Sequence, residues 1–294
     1  MVKAILSYWS APRLAGLAHG WAGPLSELCA WVLSTELAKQ HYNTLEFVTD
    51  EWGKAFFVDK IGLRFDKVTT ILEILPKELS RVWSLGKLVS YQIQEEPFIE
   101  LDYDVFLWEK PYVGSKPLFC QSPEVFELAR ANSRHYRVDL LTPHLKFIPE
   151  IYQRGMQLER FSCCNVGIFG GSDLDFIKEY ATQAIDLVLH PLNREGWLQF
   201  CKHQPLICAV IAEQWMLGAA VASKSREIAY LFPAEKVAYD QDYAAKMGYT
   251  HLLGYSKRKY HVCRKLISRV ARDYPDLFLR CKETVGEREL MYAS

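Results

Sequence analysis

Short apolar runs alternate with segments of helical periodicity over the first hundred residues, and this alternation limits the possible folds more than any other feature. Four runs have the length and composition of strands: 2–7, 44–49, 67–74 and 97–108. Between them, residues 25–42 repeat apolar side chains at helical spacing, and shorter helical segments follow at 51–61 and 79–94. Repeated strand–helix–strand units are typical of a parallel sheet flanked by helices. The sequence therefore predicts the α/β class.

Composition excludes several other classes of protein. Half of the 294 residues are hydrophobic and 24% are charged, which excludes a disordered chain. The 35 basic residues are balanced by 35 acidic ones, so we expect no nucleic-acid partner. The eight cysteines form no C-x-x-C pair, and they indicate the reduced thiols of a cytoplasmic protein.

The organisation of the chain favours one compact domain. No linker rich in Ser or Gly and no internal repeat interrupts it, so we predict a single domain with two lobes over 1–294. The first residues lack the long apolar run of a signal peptide. The most apolar stretch, 206–222, is predicted to be a buried helix, because Glu213 and Gln214 lie at its centre, where a membrane span disfavours charge.

Two carboxylates, Asp102 and Asp104, interrupt the apolar run 97–108. Residues two apart share one face of a strand, and like charges on a buried face need a cation beside them. Oxygen ligands of this kind select Mg²⁺ or Mn²⁺, ions that are usually shared with substrate phosphates. The alternative is that the strand ends at Leu101 and the two acids are solvated turn residues.

A second motif, His251-x-x-Gly254-x-x-Lys257, precedes a predicted amphipathic helix near the C-terminus. Histidine is a common metal ligand, and glycine permits a ligand to approach the backbone closely. The ammonium group of Lys257 suits a phosphate. The alternative is an ordinary surface loop in front of the helix.

Two further features carry polar or flexible residues inside apolar segments. The run CCNVGIFGG contains Asn165, Gly170 and Gly171. Its two final glycines either let a ligand lie against bare backbone or form a turn between a strand and a helix. Glu213 lies in the buried helix, where a carboxylate must be paired, hydrogen-bonded or protonated. Its environment is either a structural partner or a reaction centre.

Taken in chain order, DYD, NVGIFGG, AEQWML and HLLGYSK resemble the motifs of the GT-A-fold, D-x-D glycosyltransferases, especially the glycogenin and bacterial lipopolysaccharide galactosyltransferase group. The resemblance covers most of the chain loosely. It implies a GT-A-like, mostly parallel central sheet flanked by helices, with a Rossmann-like nucleotide-sugar-binding half at 1–110 and an acceptor half at 111–294. It also implies a metal-dependent hexosyltransferase that moves a sugar from a nucleotide diphosphate sugar, such as a UDP-sugar, to a glycan or other hydroxyl acceptor.

The same resemblance implies a role for each motif residue. Asp102, Asp104 and His251 would ligate Mn²⁺ or Mg²⁺, and Asp102 would also contact the donor ribose. Lys257 and Lys87 would hold the diphosphate. The remaining implied positions are Tyr8 or Trp9 stacked on the base, Asn165, Gly170 and Gly171 at the donor sugar, Gly254 beside the donor, and Glu213 or Gln214 near the anomeric carbon.

Two other functions use related chemistry. A Mg²⁺-dependent nucleotidyltransferase normally carries a glycine-rich basic loop directly after its first strand, whereas this chain has SYWSAPRLAG there. A non-catalytic protein could bind a nucleotide sugar without turnover. Hydrolysis of a UDP-sugar in the presence of Mn²⁺ would distinguish a transferase from a binding protein.

A basic segment covers residues 243–272, which carry eight Lys or Arg and no acid. This pattern is typical of the solvated face of an amphipathic helix. It also fits peripheral contact with an anionic membrane surface or a phosphorylated glycan.

Overall fold

The structure of the protein is a computed structural model that describes residues 2–17, 20–112, 116–127, 136–204, 207–233 and 240–292, without the side chains of 241 and 287–292. Its strands are β1 (Lys3–Tyr8), β2 (Leu45–Thr49), β3 (Lys67–Thr69), β4 (Phe98–Leu101), β5 (Val105–Leu107), β6 (Leu118–Glu127), β7 (Arg160–Gly171), β8 (Ala229–Tyr230) and β9 (Tyr249–His251). Its helices are α1 (Ala11–Leu14), α2 (Pro24–His41), α3 (Glu51–Gly53), α4 (Leu85–Gln92), α5 (Val138–Leu141), α6 (Glu150–Met156), α7 (Leu174–Leu189), α8 (Arg194–His203), α9 (Cys208–Val210), α10 (Met216–Ser223), α11 (Gln241–Lys246), α12 (Tyr260–Asp273) and α13 (Pro275–Tyr292).

The chain divides into two compact units, each assembled from separate segments. The first unit comprises residues 1–2, 74–100 and 112–238, and the second comprises 3–73, 101–111 and 239–294. The assignment of the whole chain to a single glycosyltransferase-like domain stays a prediction.

In the second unit, β1, β2 and β3 pair in parallel in the order β3-β2-β1. Tyr8 lies opposite Thr49, so the carboxyl ends of β1 and β2 meet at one edge. Helix α2 begins at Pro24, whose fixed φ suits the first helical turn. This helix is buried along most of its length because β5, α12 and α13 pack against it.

In the first unit, the strands follow the order β4-β7-β6-β8. Strands β6 and β7 are antiparallel, and β6 and β8 are parallel. Helix α7 packs on α4, while α10 packs on α6 and β7. The Asp173 side chain accepts a hydrogen bond from the Phe176 backbone N–H at 3.2 Å, which caps the amino end of α7.

The α/β class with a mostly parallel central sheet flanked by helices, predicted from the sequence, is confirmed. The prediction of one continuous strand over 97–108 is wrong. Strand β4 ends at Leu101 and β5 begins at Val105, because the Val105 N–H donates to the Asp102 carbonyl at 2.9 Å and closes a turn.

The apolar stretch 206–222 forms α9, a π-helical turn at Ile211–Trp215 and α10, although Leu206 itself lies outside the described residues. Most of its side chains are buried, as the sequence predicts. Among the helices of the described residues, none combines the length and the apolar character needed to span a membrane.

Candidate functional site

The second unit brings Asp102, Asp104 and His251 together. One potential ligand atom from each lies within 4.8 Å of the others. Asp102 and Asp104 belong to the turn between β4 and β5, and His251 ends strand β9. The two acids are therefore turn residues, as one of the two sequence interpretations stated. Asp104 is nevertheless only 2% exposed, so it is not solvated.

The backbone pairing of β5 with β9 fixes this arrangement. Val105 lies opposite His251 in the antiparallel register, and the Leu252 N–H donates to the Asp104 carbonyl at 3.0 Å. Because side chains alternate between the two faces of a strand, a slip of one residue would turn His251 away from the acids. The pairing of β5 with β9 thus determines that the His251 imidazole meets the two carboxylates.

Lys257 joins the cluster from the 3₁₀ helix Gly254–Arg258. Its ammonium group contacts Asp104 Oδ2, while His251 Nε2 lies 3.2 Å from Asp104 Oδ1. Burial alone would raise the pKa of the Asp104 carboxyl, but the Lys257 ammonium and the contact with His251 outweigh burial and hold that pKa well below its usual range. Burial would lower the pKa of Lys257, but Asp104 raises it. Both groups are therefore charged at neutral pH.

The chemistry of this donor set fits a hard divalent cation. Two carboxylates and an imidazole offer oxygen and nitrogen ligands, and three protein ligands leave coordination positions for phosphate oxygens. Asp102, Asp104 and His251 are the residues that would hold Mn²⁺ or Mg²⁺. Lys257, adjacent to Asp104, would face an anion bound to that cation.

Two aromatic residues beside the cluster were missed by the sequence interpretation. The Lys257 ammonium lies 5.9 Å from the ring centroids of both Trp21 and Tyr103. The Trp21 indole N–H donates to the Tyr103 hydroxyl at 3.1 Å, and the Tyr103 ring stacks on Trp31 with centroids 4.7 Å apart. The sequence signal was available: Tyr103 lies between the two acids, and Trp21 lies in a glycine-rich segment.

Tyr8 and Trp9, predicted to stack on the nucleotide base, lie at the carboxyl end of β1. They are 6% and 5% exposed, respectively. The ring of Tyr8 packs edge-on against Phe57 at 4.8 Å and Trp31 at 5.5 Å. In this conformation, neither ring offers a free face to a ligand.

Lys87 and Glu213 form a buried ion pair in the first unit, with Lys87 Nζ 3.3 Å from Glu213 Oε1. Lys87 also donates to the Val166 carbonyl at 2.9 Å. The Tyr91 and Tyr180 hydroxyls donate to Glu213, at Oε1 and at its backbone carbonyl, both at 2.8 Å. Glu213 therefore has an ion-pair partner in the structure, and its catalytic role stays a prediction. Lys87, predicted to bind a diphosphate, is that partner.

Gln214 and Asn165 belong to a neighbouring polar network in the same unit. Asn165 Nδ2 donates to Glu124 Oε1 at 3.0 Å. The Tyr136 hydroxyl lies 2.5 Å from Glu124 Oε2 and 2.9 Å from Gln214 Oε1. Glu124 and Tyr136 belong to no recognisable motif, so they could not be selected from the sequence.

The predicted site glycines fall into two groups. A Cβ at Gly170 would lie 2.0 Å from the Phe98 carbonyl oxygen, and one at Gly171 would lie 2.0 Å from that of Pro117. Close packing against neighbouring backbone therefore requires glycine at both positions, and their role at the donor sugar stays a prediction. Gly254 differs, because it has φ +51° and nothing within 4 Å of an added Cβ.

Comparison with known proteins gives a family but no function. The model of a family of unknown function, DUF6734, matches residues 2–284. The chain belongs to this family. The sequence of this DUF6734 protein matches no curated protein.

Two solved structures are similar to this DUF6734 chain. One is the galactosyltransferase LgtC in complex with donor and acceptor sugar analogs, with 13% identity, 78% of this chain and 73% of that chain covered, and a TM-score of 0.33. The other is mouse xyloside xylosyltransferase 1 in its apo form, with 13% identity, coverage of 78% and 84%, and a TM-score of 0.34. Both are glycosyltransferases, the class that the four motifs resemble. At this level of similarity, function has to be argued from the residues of the chain.

Proposed function

We propose that the protein is a metal-dependent glycosyltransferase that transfers a sugar from a nucleotide diphosphate sugar, in particular a UDP-sugar, to a glycan or other hydroxyl acceptor. The observation that carries the proposal is the convergence of Asp102, Asp104 and His251 with Lys257. A divalent cation held by these three ligands would, together with the Lys257 ammonium, give two positive centres for one diphosphate.

The chemistry of such a transfer matches this cluster. Breaking the bond between sugar and phosphate builds negative charge on the departing diphosphate, and Lys257 would offset part of that charge. Mn²⁺ or Mg²⁺, when bound, would act as a Lewis acid on the same leaving group. Asp102, Asp104 and His251 would hold that ion, and Asp102 would also contact the ribose. The roles suggested for the other motif residues stay predictions: Tyr8, Trp9, Lys87, Asn165, Gly170, Gly171, Glu213, Gln214 and Gly254.

Substitution of Asp104 tests the metal and diphosphate part of the proposal. We expect the wild-type protein to bind UDP only with Mn²⁺, and Asp104→Asn to weaken that binding by more than about 100-fold, because loss of even an indirect ligand partner costs 10–100-fold. Calorimetric titration with UDP, with and without Mn²⁺, measures this. Asp59→Asn is the matched control, since Asp59 is exposed in the same unit. Undiminished UDP binding by Asp104→Asn would exclude the assignment.

Turnover separates the transferase from its alternatives. We expect slow, Mn²⁺-dependent hydrolysis of at least one nucleotide sugar in a panel without acceptor. Tight binding without any release of UDP, with or without hydroxyl acceptors, would instead identify a non-catalytic binding protein. Formation of pyrophosphate from a nucleoside triphosphate and a sugar phosphate would identify a nucleotidyltransferase.

The basic segment supports a second, peripheral partner. Arg264, Lys265, Arg269 and Arg272 of α12 are exposed, and Tyr260 at its start is 76% exposed. We propose that this face contacts anionic lipid on the cytoplasmic side, a location that agrees with eight free cysteines. Sedimentation with phosphatidylserine vesicles, but not with neutral vesicles, is the expected result. Equal sedimentation with both would contradict electrostatic contact.

A further inference from the structure

We infer that Trp21 is the surface on which the nucleotide base stacks. The inference rests on the proposed function, because it names the base subsite of the same nucleotide ligand. It starts from the position of Trp21 beside Lys257, which the sequence motifs did not indicate.

The backbone on both sides of Trp21 is tied to the segment that carries Lys257. The Ala22 N–H donates to the Lys257 carbonyl at 3.0 Å. Arg258 Nε donates to the Gly20 carbonyl at 3.4 Å. Trp21 therefore keeps its place relative to the lysine that would bind the diphosphate.

The orientation of the indole ring is also fixed. Trp21 Nε1 donates to the Tyr103 hydroxyl, and Tyr103 stacks nearly parallel on the buried Trp31, with 3° between the ring planes. Tyr103 itself lies between Asp102 and Asp104 in the chain. A rigid ring loses little entropy on binding, so this arrangement suits a stacking surface.

Exposure distinguishes Trp21 from three other aromatic residues of the second unit that lie at or near the carboxyl end of β1 or pack against Tyr103. Tyr8, Trp9 and Trp31 are all buried, whereas Trp21 is partly exposed. Trp52 is a competing candidate because it is also partly exposed, but its ring stacks on Phe56 with centroids 4.8 Å apart.

The distance between Trp21 and Lys257 suits the two ends of a nucleoside diphosphate. A base on the exposed side of the indole would leave the diphosphate to extend toward the lysine, whose ammonium lies 5.9 Å from the ring centroid. Stacking of a base on an aromatic ring changes affinity by roughly five- to 150-fold and depends little on which base is bound. Trp21 would therefore contribute affinity for the nucleoside rather than for the phosphates.

The experiment compares UDP with inorganic pyrophosphate, each titrated with Mn²⁺ present. We expect Trp21→Ala to weaken UDP binding at least about fivefold and to leave pyrophosphate binding unchanged. Trp21→Phe should recover most of the UDP affinity, because it restores an aromatic face. Trp83→Ala is the matched control, since Trp83 is 38% exposed and belongs to the first unit.

Three results with the variants, and one with the wild-type protein, would overturn the inference. Equal weakening of UDP and pyrophosphate would make Trp21 a support for Lys257. Unchanged UDP binding by Trp21→Ala would remove it from the site, and selective loss of UDP binding in Trp52→Ala alone would place the base at Trp52. Failure of the wild-type protein to bind either ligand with Mn²⁺ would contradict the proposed function itself, and the base subsite with it.

Discussion

Two lysine–carboxylate contacts, Lys257–Asp104 in the second unit and Lys87–Glu213 in the first, join the same chemical groups in different surroundings. Around Asp104, His251 and Asp102 add further potential ligand atoms, and the Lys257 side chain keeps 18% of its surface exposed. Around Glu213, tyrosine hydroxyls donate hydrogen bonds, and the side chains of Lys87 and Glu213 are 8% and 0% exposed.

We interpret the difference as that between a candidate ligand site around Asp104 and a core ion pair at Glu213. A cation beside Asp104 would meet two carboxylates and an imidazole. Glu213, in contrast, already has an ammonium and a phenol as neighbours. Burial of two charges is costly, and removal of one partner leaves the other uncompensated. We therefore expect substitutions of Lys257 or Asp104 to change ligand binding. Substitutions of Lys87 or Glu213 should change the stability of the fold.

The largest expected effect is on stability, in Glu213→Gln. The substitution removes the negative charge beside Lys87, whose ammonium stays buried, so the free energy of unfolding should fall by about 3–5 kcal/mol. Chemical denaturation of the variant and the wild-type protein measures this free energy. Combining it with Lys87→Met should recover much of the loss, because neither member of the pair then carries a buried charge.

The same variant tests the catalytic role predicted for Glu213. Activity per folded molecule that survives in Glu213→Gln would make the residue a member of a structural ion pair. Loss of that activity with an unchanged free energy of unfolding would contradict the comparison of the two pairs and support catalysis.

A smaller effect, of opposite sign for two ligands, is expected from Lys257→Met. Without the ammonium on Asp104, Mn²⁺ alone should bind a few-fold more tightly, because a competing positive charge is gone. UDP with Mn²⁺ should bind roughly tenfold more weakly, because a charged hydrogen bond to phosphate is worth about 1.5–3 kcal/mol. Calorimetry with and without UDP measures both.

Lys259→Met is the matched control, since Lys259 is exposed two residues further along the chain. If both affinities of Lys257→Met moved in the same direction, Lys257 would act as a structural partner of Asp104. Both lysine–carboxylate pairs would then be structural ion pairs.

The residues of the cluster around Asp104 could be predicted from the sequence, because their types and spacing are typical of a metal and phosphate site. Asp102 and Asp104 interrupt an apolar run, and His251 and Lys257 flank a glycine. Their convergence was implied only by the family resemblance, since it depends on the pairing of β5 with β9.

The ion pair between Lys87 and Glu213 could not be predicted in the same way. The sequence showed that Glu213 needs a partner, but the contact with Lys87 arises from the packing of α4 against the π-helical turn. Similarly, the family resemblance drew attention to Tyr8, and only tertiary packing shows that Phe57 and Trp31 cover its ring. Propensity and spacing do not encode such contacts.

The pairing of β5 with β9 also has a consequence for the order of events during synthesis. About half of the chain separates Val105 from His251, which lie opposite each other. Closing so long a loop is entropically costly, and long-range pairing of this kind is slow. Since chains emerge from the ribosome amino end first, the two acids are made before the roughly half of this sequence that separates them from His251. A nascent chain that stalls before β9 would therefore be able to build β1 to β3, yet would lack the complete cluster.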